Sequence, residues 1–315
     1  MKKSILLGGV FNYDIIVERV YTNGFELGKN NKYEEKIISE CVGGTCGNVS
    51  CMTAYLGLDS FPIAHFDTTD KGLKLKQDLE HYGCNTRFVR NSADGGTTTL
   101  QCVHRRNKQT GAPEMTFRQG NAADPTSRFP RRKNIRLRDE VPAFLESLDF
   151  RPDVFFFDCE AAGYRALAEA LRQKGTLVYY EPESAKEERQ FLTGVEVSDI
   201  VKFSGEKVES TAFAEAYKDK LFIQTLGSRG LQYKLRDGEW THIDPEPCEK
   251  VVDWEGAGDW TTSQFIACLC ERDLLDIATL TDTDLRECLK IAQQTAAKSV
   301  GYMSSKGMIN EKGNL

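Results

Sequence analysis

The chain has 315 residues, of which 40% are hydrophobic and 28% are charged, and its formal net charge is -6. This length allows one large α/β domain with an ordinary buried core, and the acidic balance gives no general electrostatic reason to bind nucleic acid. No apolar run approaches the roughly 18–20 residues that a membrane span requires.

The ten cysteines predict neither disulfides nor a zinc site. Cys41, Cys46 and Cys51 follow a spacing that matches neither a Cys-x-x-Cys pair nor a zinc site with nearby histidines. We expect small, mostly buried thiols in a reducing compartment, which makes the predicted location cytoplasmic.

The chain begins with M-K-K-S-I-L-L-G-G-V-F, which faintly resembles a signal peptide. Glycines interrupt its apolar run, and Asn12 and Asp14 follow almost at once, so a first buried strand is the favoured interpretation. Alternating apolar and polar residues over 15–40 and 97–118 predict half-exposed strands. We expect these strands to form a small lid inserted into a single domain spanning residues 1–315.

Beyond this region the chain alternates between short apolar runs and helical patterns. The basic run at 127–138 could contact an anionic partner, but a solvated loop before a helix is favoured. A helix is predicted over 161–175, with Gly175 as its stop. Strands buried on both faces are predicted at 154–159, 176–180, 199–203 and 221–226. Such repeated units predict an α/β fold with a doubly wound, mostly parallel sheet, helices on both faces, and ligands at the carboxyl ends of the strands.

Near the C-terminal end, the stretch Gly256-Ala257-Gly258-Asp259 opens an amphipathic helix. The first amides of a helix lack internal partners, so this turn is a candidate anion cradle with a carboxylate at its edge. A carboxylate beside a bound anion needs another task, and removing a proton from a hydroxyl that attacks the anion is one. The stretch therefore indicates phosphoryl transfer, although alone it also fits a plain strand-to-helix turn with Asp259 as a cap.

Three further turns place glycines beside polar groups. Residues 41–50 enter a helix through a glycine-rich turn, and residues 225–230 follow a strand as a backbone-lined ledge. Residues 8–14 end the first strand with Asn12 and Asp14, which suit hydroxyl recognition. The sequence contains neither the G-x-x-x-x-G-K-[ST] phosphate loop nor the G-x-G-x-x-G dinucleotide fingerprint. The missing dinucleotide fingerprint disfavours an oxidoreductase.

In this order, the four stretches resemble the ribokinase-like (PfkB) carbohydrate kinase family, from residue 8 to about 307. The resemblance implies ATP-dependent phosphorylation of a hydroxyl on a small sugar or sugar acid, with ATP and Mg2+ as cofactors and a monovalent cation as a further candidate. Asp259 would be the catalytic base, and Gly256, Ala257 and Gly258 would supply amides to the transferred phosphoryl group. Because the lid has an open edge that could pair with a second copy, we expect a homodimer.

The resemblance also assigns binding residues, position by position. The acceptor would be held by Asn12, Asp14, Gly43, Gly44, Asn48, Arg118 and Glu160. The nucleotide site would be lined by Ser204, Thr225, Gly227 and Gly230, with Asp253 in positioning or cation handling. The fork of Arg118 suits a carboxylate and would favour a sugar acid, but pairing with a surface glutamate explains this arginine equally well.

A departure from the family pattern leaves alternatives open. Where relatives commonly carry Asn-x-x-Glu, this chain has Ser204-Gly205-Glu206-Lys207, so Glu206 becomes the candidate metal ligand. The change motivates one alternative, a sugar-binding regulator without turnover. A nucleoside kinase is the other, because relatives in this superfamily phosphorylate nucleosides. A nucleobase would stack on aromatic rings, and Phe11 and Tyr13 beside Asn12 and Asp14 are the candidates.

Overall fold

The computed structural model describes residues 2–119 and 140–312, so the basic run at 127–138 lies outside the described residues. The strands are β1 Ser4–Gly8, β2 Asn12–Tyr21, β3 Tyr33–Gly43, β4 Asp59–Phe66, β5 Val89–Asn91, β6 Thr98–Arg106, β7 Pro113–Gln119, β8 Val154–Phe157, β9 Leu177–Tyr180, β10 Ile200–Ser204, β11 Leu221–Thr225, β12 Leu231–Leu235 and β13 Thr241–Ile243. The four predicted buried strands are confirmed as β8 to β11.

The helices connect these strands and cover the larger sheet. They are α1 Thr45–Tyr55, α2 Asp70–His81, α3 Val141–Glu146, α4 Ala162–Arg172, α5 Glu188–Glu196, α6 Ala257–Glu271, α7 Asp282–Ser299 and α8 Gly307–Lys312. The helix predicted over 161–175 is confirmed as α4, and Gly175 follows it with a φ of 83°. Within the described part of the chain, every helix is too short or too polar to pass through a lipid bilayer.

The larger sheet has the strand order β13-β12-β11-β10-β9-β8-β1-β4-β5. Its strands are parallel from β11 to β5, and β12 and β13 are antiparallel additions at one edge. Phe156 of β8 faces a core shared with α1, α2, α6 and α7, whereas Phe155 and Phe157 face a second core with α3, α4 and α5. Because alternate side chains fill two cores, the strand is apolar throughout. The predicted doubly wound, mostly parallel sheet with helices on both faces is confirmed.

A second, small sheet has the order β3-β2-β6-β7 and contains the alternating segments. Its central pair β2–β6 is parallel, and the two outer pairs are antiparallel. Tyr13, Ile15 and Val17 of β2 belong to the main core, so this sheet packs against the α/β unit through one face. Strand β3 lies at an edge and is exposed over most of its length.

The carboxyl end of β1 is the point where the strand order reverses. From β1 the chain crosses to β4 on one side, and it later reaches β8 on the other side. Open α/β sheets bind ligands at such a point. Asp158, directly after β8, accepts hydrogen bonds from the amides of Val10 and Cys46, each at 2.8 Å, and so holds the start of α1 against the end of β1.

Candidate active site

The loop before α6 contains the Gly-Ala-Gly-Asp stretch, and its shape depends on Asp253 and Gly256. Asp253 is 2% exposed, and its carboxylate oxygens accept hydrogen bonds from the amides of Glu255 and Ser304, each at 2.9 Å. Gly256 precedes the helix with a φ of 76°, in the left-handed region. A Cβ on Gly256 would lie 2.5 Å from the Ser305 Cβ. Only glycine therefore fits this turn without strain.

The first amides of α6 form the anion cradle. Within residues 2–119 and 140–312, the amides of Gly256, Gly258 and Asp259 make no hydrogen bond. The expectation of unpaired amides at all of 256–258 needs a correction, because the Ala257 amide donates to the Trp254 carbonyl at 3.3 Å. The unpaired amides and the positive end of the helix dipole attract a bound anion.

Asp259 lies in the first turn of α6. Its Oδ2 accepts a hydrogen bond from Asn48 Nδ2 at 2.7 Å. Burial, and then the nearby Glu181 carboxylate, raise the pKa of Asp259 to about 6. A carboxylate with this pKa is ionised at neutral pH yet basic enough to accept a proton from a reacting hydroxyl.

Asn48 links Asp259 to a buried lysine that was not predicted from the sequence. Asn48 is 4% exposed, and its Oδ1 accepts hydrogen bonds from Lys306 Nζ at 2.5 Å and Ser305 Oγ at 3.1 Å. Because two donors occupy Oδ1, the amide group is oriented with Nδ2 toward Asp259. Lys306 is fully buried but lies in a short polar stretch, which carries no sequence signal of burial.

A second buried lysine lies beneath the cradle. Lys202 of β10 is 2% exposed, donates to the Gly258 carbonyl at 3.0 Å, and forms an ion pair with Glu181. The other carboxylate oxygen of Glu181 accepts a hydrogen bond from Thr262 Oγ1 at 2.5 Å. The sequence did contain a signal here, because Lys202 interrupts an otherwise apolar strand. Its ammonium group is neutralised by Glu181, so the pair holds the backbone of the cradle in place through the Gly258 carbonyl.

Asn12 and Asp14 share one side of β2 and are 6% and 3% exposed. In the described part of the chain, neither Asn12 Oδ1 nor Asp14 Oδ1 has a hydrogen-bond partner. A Cβ on Gly43 would lie 1.5 Å from Asp14 Oδ2, and Gly44 has a φ of 78°, so both glycines are required here. Burial raises the pKa of Asp14 to about 6, although Lys306 and the Gly44 amide oppose this shift.

Glu160 follows β8 and lines an open cavity of about 510 Å³ at the start of α4 and α5. The Tyr180 hydroxyl donates to Glu160 Oε1 at 3.2 Å, and Arg165 donates to the Glu160 backbone carbonyl. Arg165 and Arg189 also line this cavity. Two guanidinium groups therefore lie near a residue that the sequence assigned to the acceptor.

Arg118 lies on β7 and forms a two-pronged ion pair with Glu35 of β3, with distances of 2.9 and 2.7 Å. Strands β7 and β3 are the two outer strands of the small sheet, so the sheet must curl for the side chains of Arg118 and Glu35 to meet. The hydrogen bonds from Arg118 outweigh the opposing effect of burial, and Arg19 also pairs with this glutamate, so the pKa of Glu35 falls to about 2. This geometry favours the glutamate-pairing interpretation of Arg118 over a contact with the acceptor.

The residues predicted to line the nucleotide site lie at the ends of β10 and β11. Ser204 and Thr225 are paired in register. Gly227 and Gly230 have φ values of 61° and 86°, and a Cβ on Gly230 would collide with the backbone of β13. Glu206 is exposed and lies beside Gly227, because a Cβ built on Gly227 would be 3.9 Å from the Glu206 Oε1 atom. Because β10 also carries the lysine beneath the cradle, this ledge adjoins the cradle.

Phe11 and Tyr13 are core residues. They are 0% and 4% exposed, and the Phe11 ring contacts the Phe66 ring edge-on, with centroids 5.8 Å apart. Neither ring presents a face on which a nucleobase could stack.

Comparisons with known proteins agree with this architecture. Residues 10–312 match the pfkB family of carbohydrate kinases, and a search of curated proteins found no significant match to this sequence. The Arabidopsis thaliana ribokinase solved with ribose and ATP is 17% identical, with 98% of each chain covered and a TM-score of 0.66. A Xylella fastidiosa fructokinase with bound ATP is 15% identical, with 99% of this chain and 100% of that chain covered and a TM-score of 0.68.

A nucleoside kinase from Methanocaldococcus jannaschii is also similar, at 14% identity, with 97% of this chain and 94% of that chain covered and a TM-score of 0.65. At these identities the solved structures show a shared ribokinase-like fold. The family match extends over nearly the whole sequence. This chain therefore belongs to the PfkB family of carbohydrate kinases.

Proposed function

We propose that this chain catalyses ATP-dependent phosphorylation of a hydroxyl group on a small sugar or sugar acid. The observation that carries the proposal is the position of Asp259, which directly follows the unpaired Gly258 amide and is oriented by Asn48. A cradle for a phosphoryl group and a base for the incoming hydroxyl are thus side by side. Membership of a carbohydrate kinase family supports the same reaction class.

In the proposed reaction, Asp259 takes the proton of the acceptor hydroxyl while the hydroxyl oxygen attacks the γ-phosphorus of ATP. The bond from that phosphorus to the β–γ bridging oxygen breaks, and ADP leaves. The Gly256 and Gly258 amides donate to the oxygens of the phosphoryl group during transfer. Lys202 holds the Gly258 carbonyl and so fixes the backbone of the cradle, and Asp259 later releases its proton to solvent.

We place ATP on the ledge formed by Ser204, Thr225, Gly227 and Gly230. Gly227 leaves the backbone open to a ligand, and Gly230 allows the chain to pass close to the backbone of β13. Glu206 is the carboxylate at this ledge that would hold Mg2+. The ion supplies neutralisation of phosphate charge when it is bound with the nucleotide. Asp253 has a positioning role, since its two oxygens hold the loop before α6 through backbone amides.

Two observations bear on the acceptor. The unpartnered oxygens of Asn12 and Asp14 can accept hydrogen bonds from sugar hydroxyls, and Gly43 and Gly44 give this pocket room. The cavity beside Glu160 is lined by Arg165 and Arg189, whose positive charge suits a carboxylate on the acceptor. This cavity, rather than Arg118, now supports a sugar acid.

A nucleoside acceptor is the alternative that the Methanocaldococcus jannaschii structure supports. The burial of Phe11 and Tyr13 removes the aromatic stacking surface that would favour it here. The serine and lysine of Ser204-Gly205-Glu206-Lys207 support the other alternative, a sugar-binding regulator without turnover.

A screen for ADP release with Mg2+ and ATP tests the proposal over hexoses, pentoses, 2-keto-3-deoxy sugar acids and nucleosides. We expect turnover on a sugar or a sugar acid, and we expect Asp259→Asn protein prepared in the same way to be slower by a factor of about 10²–10⁴. Turnover confined to nucleosides would contradict the acceptor class. Thermal stabilisation by a sugar without ADP release on any acceptor would instead identify a regulator.

We also propose that the protein forms a homodimer through the small sheet in the cytoplasm. The edge strand β3 exposes Tyr33, Ile37 and Ile38, with 44%, 58% and 40% of their surfaces accessible. An unpaired edge with exposed apolar side chains is a template for pairing with a second copy.

A further inference from the structure

A cluster of potential metal ligands lies between the small sheet and the loop before α6. His104 of β6 and Asp253 and Glu255 of the loop each offer a ligand atom, and these atoms lie within 4.8 Å of one another. The distance from His104 Nε2 to Asp253 Oδ2 is 3.4 Å. Asp14, Cys102 and Glu255 form a second such group, so the two groups share Glu255.

Several polar atoms of these two groups are buried without partners. Among the residues that the structure describes, His104 Nε2, Glu255 Oε2 and Asp14 Oδ1 make no hydrogen bond. Asp14 is 3% exposed, and the His104 side chain is 15% exposed. Buried polar atoms are nearly always bonded. The unpartnered His104 Nε2 and Glu255 Oε2 belong to one group and therefore point to a ligand that they share, whereas Asp14 Oδ1 remains available to the acceptor.

The charge of the cluster also calls for a cation. In the ranges 2–119 and 140–312, no lysine or arginine forms an ion pair with Asp253 or Glu255, and His104 is the only basic group within 4 Å of Asp253. The nearby Lys306 donates its hydrogen bonds to Asn48 and Ser305. Because buried like charges repel strongly, a divalent cation would stabilise the pair of carboxylates.

We propose that His104, Asp253 and Glu255 bind a divalent transition-metal ion, for which Zn2+ is the best match. Imidazole together with carboxylates suits Zn2+, whereas Mg2+ prefers oxygen ligands alone. Bonds of about 2.1 Å in a tetrahedral site place ligand atoms roughly 3.4 Å apart. The distance of 3.4 Å from His104 Nε2 to Asp253 Oδ2 already equals this spacing. The Glu255 ligand atom lies within 4.8 Å of the other two, so it needs to move toward them by at most about 1.4 Å.

The ion would join the small sheet to the loop that forms the anion cradle. His104 belongs to β6, whereas Asp253 and Glu255 lie directly before Gly256. Asp253 Oδ2 accepts one hydrogen bond, from the Ser304 amide, and a carboxylate oxygen has a further lone pair for a metal. The bound ion therefore fixes the small sheet relative to the cradle.

The test uses full-length protein that is stripped with EDTA and then mixed with ZnCl2 alone. After dialysis, we expect elemental analysis to find about one zinc ion per chain, and we expect zinc to raise the melting temperature. His104→Gln is expected to weaken zinc binding by at least about tenfold. His242→Gln is the matched control, because His242 lies 3.5 Å from a carboxylate of Asp244 but both side chains are exposed. We expect this control to bind zinc normally.

A second readout keeps the test independent of folding defects in one variant. Wild-type protein with CoCl2 should show the visible absorption of four-coordinate cobalt, and Glu255→Gln protein with a normal circular dichroism spectrum should lose it. The proposal is overturned if wild-type protein binds no zinc, or if His104→Gln leaves binding unchanged. Equal losses in His104→Gln and His242→Gln would also overturn it.

Discussion

Asn48 and Asp259 form a hydrogen bond of 2.7 Å between residues that are 211 positions apart in the sequence. The bond joins the first turn of α1 to the first turn of α6. Lys306 and Ser305 hold the other end of the Asn48 side chain, so a connected set of buried groups positions the Asp259 carboxylate. A base held in this way needs little reorientation when an acceptor hydroxyl arrives.

The pH dependence of kcat/KM should reflect the Asp259 carboxylate. Burial and Glu181 raise its pKa to about 6, and the base must be ionised to act, so we expect kcat/KM to fall about tenfold per pH unit below pH 6. The hydrogen bond from Asn48 favours the ionised form. Asn48→Ala should therefore raise the pKa and shift the acid limb to higher pH. An acid limb that does not move in this variant would contradict the assignment.

Replacing either of two glycines of the cradle with alanine should change the free energy of unfolding by different amounts. In Gly256→Ala, the new Cβ meets the Ser305 Cβ at 2.5 Å and the backbone has a φ of 76°, so we expect a loss of roughly 1–3 kcal/mol in the free energy of unfolding. In Gly258→Ala, the nearest atom is Lys202 Nζ at 3.6 Å, so we expect little change. Urea denaturation of both variants measures the difference, and equal losses would disprove the described loop shape.

Lys202 and Glu181 should behave as a coupled buried pair. Their side chains are 3% and 14% exposed, so Lys202→Met leaves a buried carboxylate without its cation. We expect this variant to lose about 3–5 kcal/mol of unfolding free energy. Adding Glu181→Gln should restore most of the loss, because the uncompensated charge disappears. A double-mutant cycle by urea denaturation measures the coupling, and additive losses would show that the pair does not interact.

Self-association through β3 should depend on its exposed apolar side chains. We expect light scattering to give the mass of a dimer for the wild-type protein and of a monomer for Ile37→Glu, since a charge at the paired edge opposes association. Leu73→Glu is the matched control, because Leu73 is 43% exposed but lies on α2. A wild-type monomer, or a dimer that survives Ile37→Glu, would exclude this interface.

Features that depend on local pattern were predictable from the sequence. The strand Val154–Phe157 is apolar at every position because both faces are buried, and Gly256 marks a turn that other residues cannot adopt without strain. Such signals lie within a few neighbouring residues. They were sufficient to predict the larger sheet and the position of the cradle.

Features that depend on distant partners were not predictable in the same way. Lys306 is buried because Asn48 accepts its hydrogen bond, and nothing near either residue predicts that pairing. Arg118 meets Glu35 only because the small sheet curls and brings these two side chains from its outer strands within reach of each other. The Ala257 amide is engaged because the chain turns back toward Trp254. Each of these contacts is a property of the assembled fold.

The turnover number of Asp259→Asn, measured as ADP release on the acceptor that the wild type prefers, tests the central claim most directly. Burial of the carboxylate raises its pKa, so the neutral amide should leave the fold intact at neutral pH. We predict that kcat falls by about 10²–10⁴ while the acceptor still binds with an affinity close to that of the wild type. A kcat near the wild-type value would contradict the account.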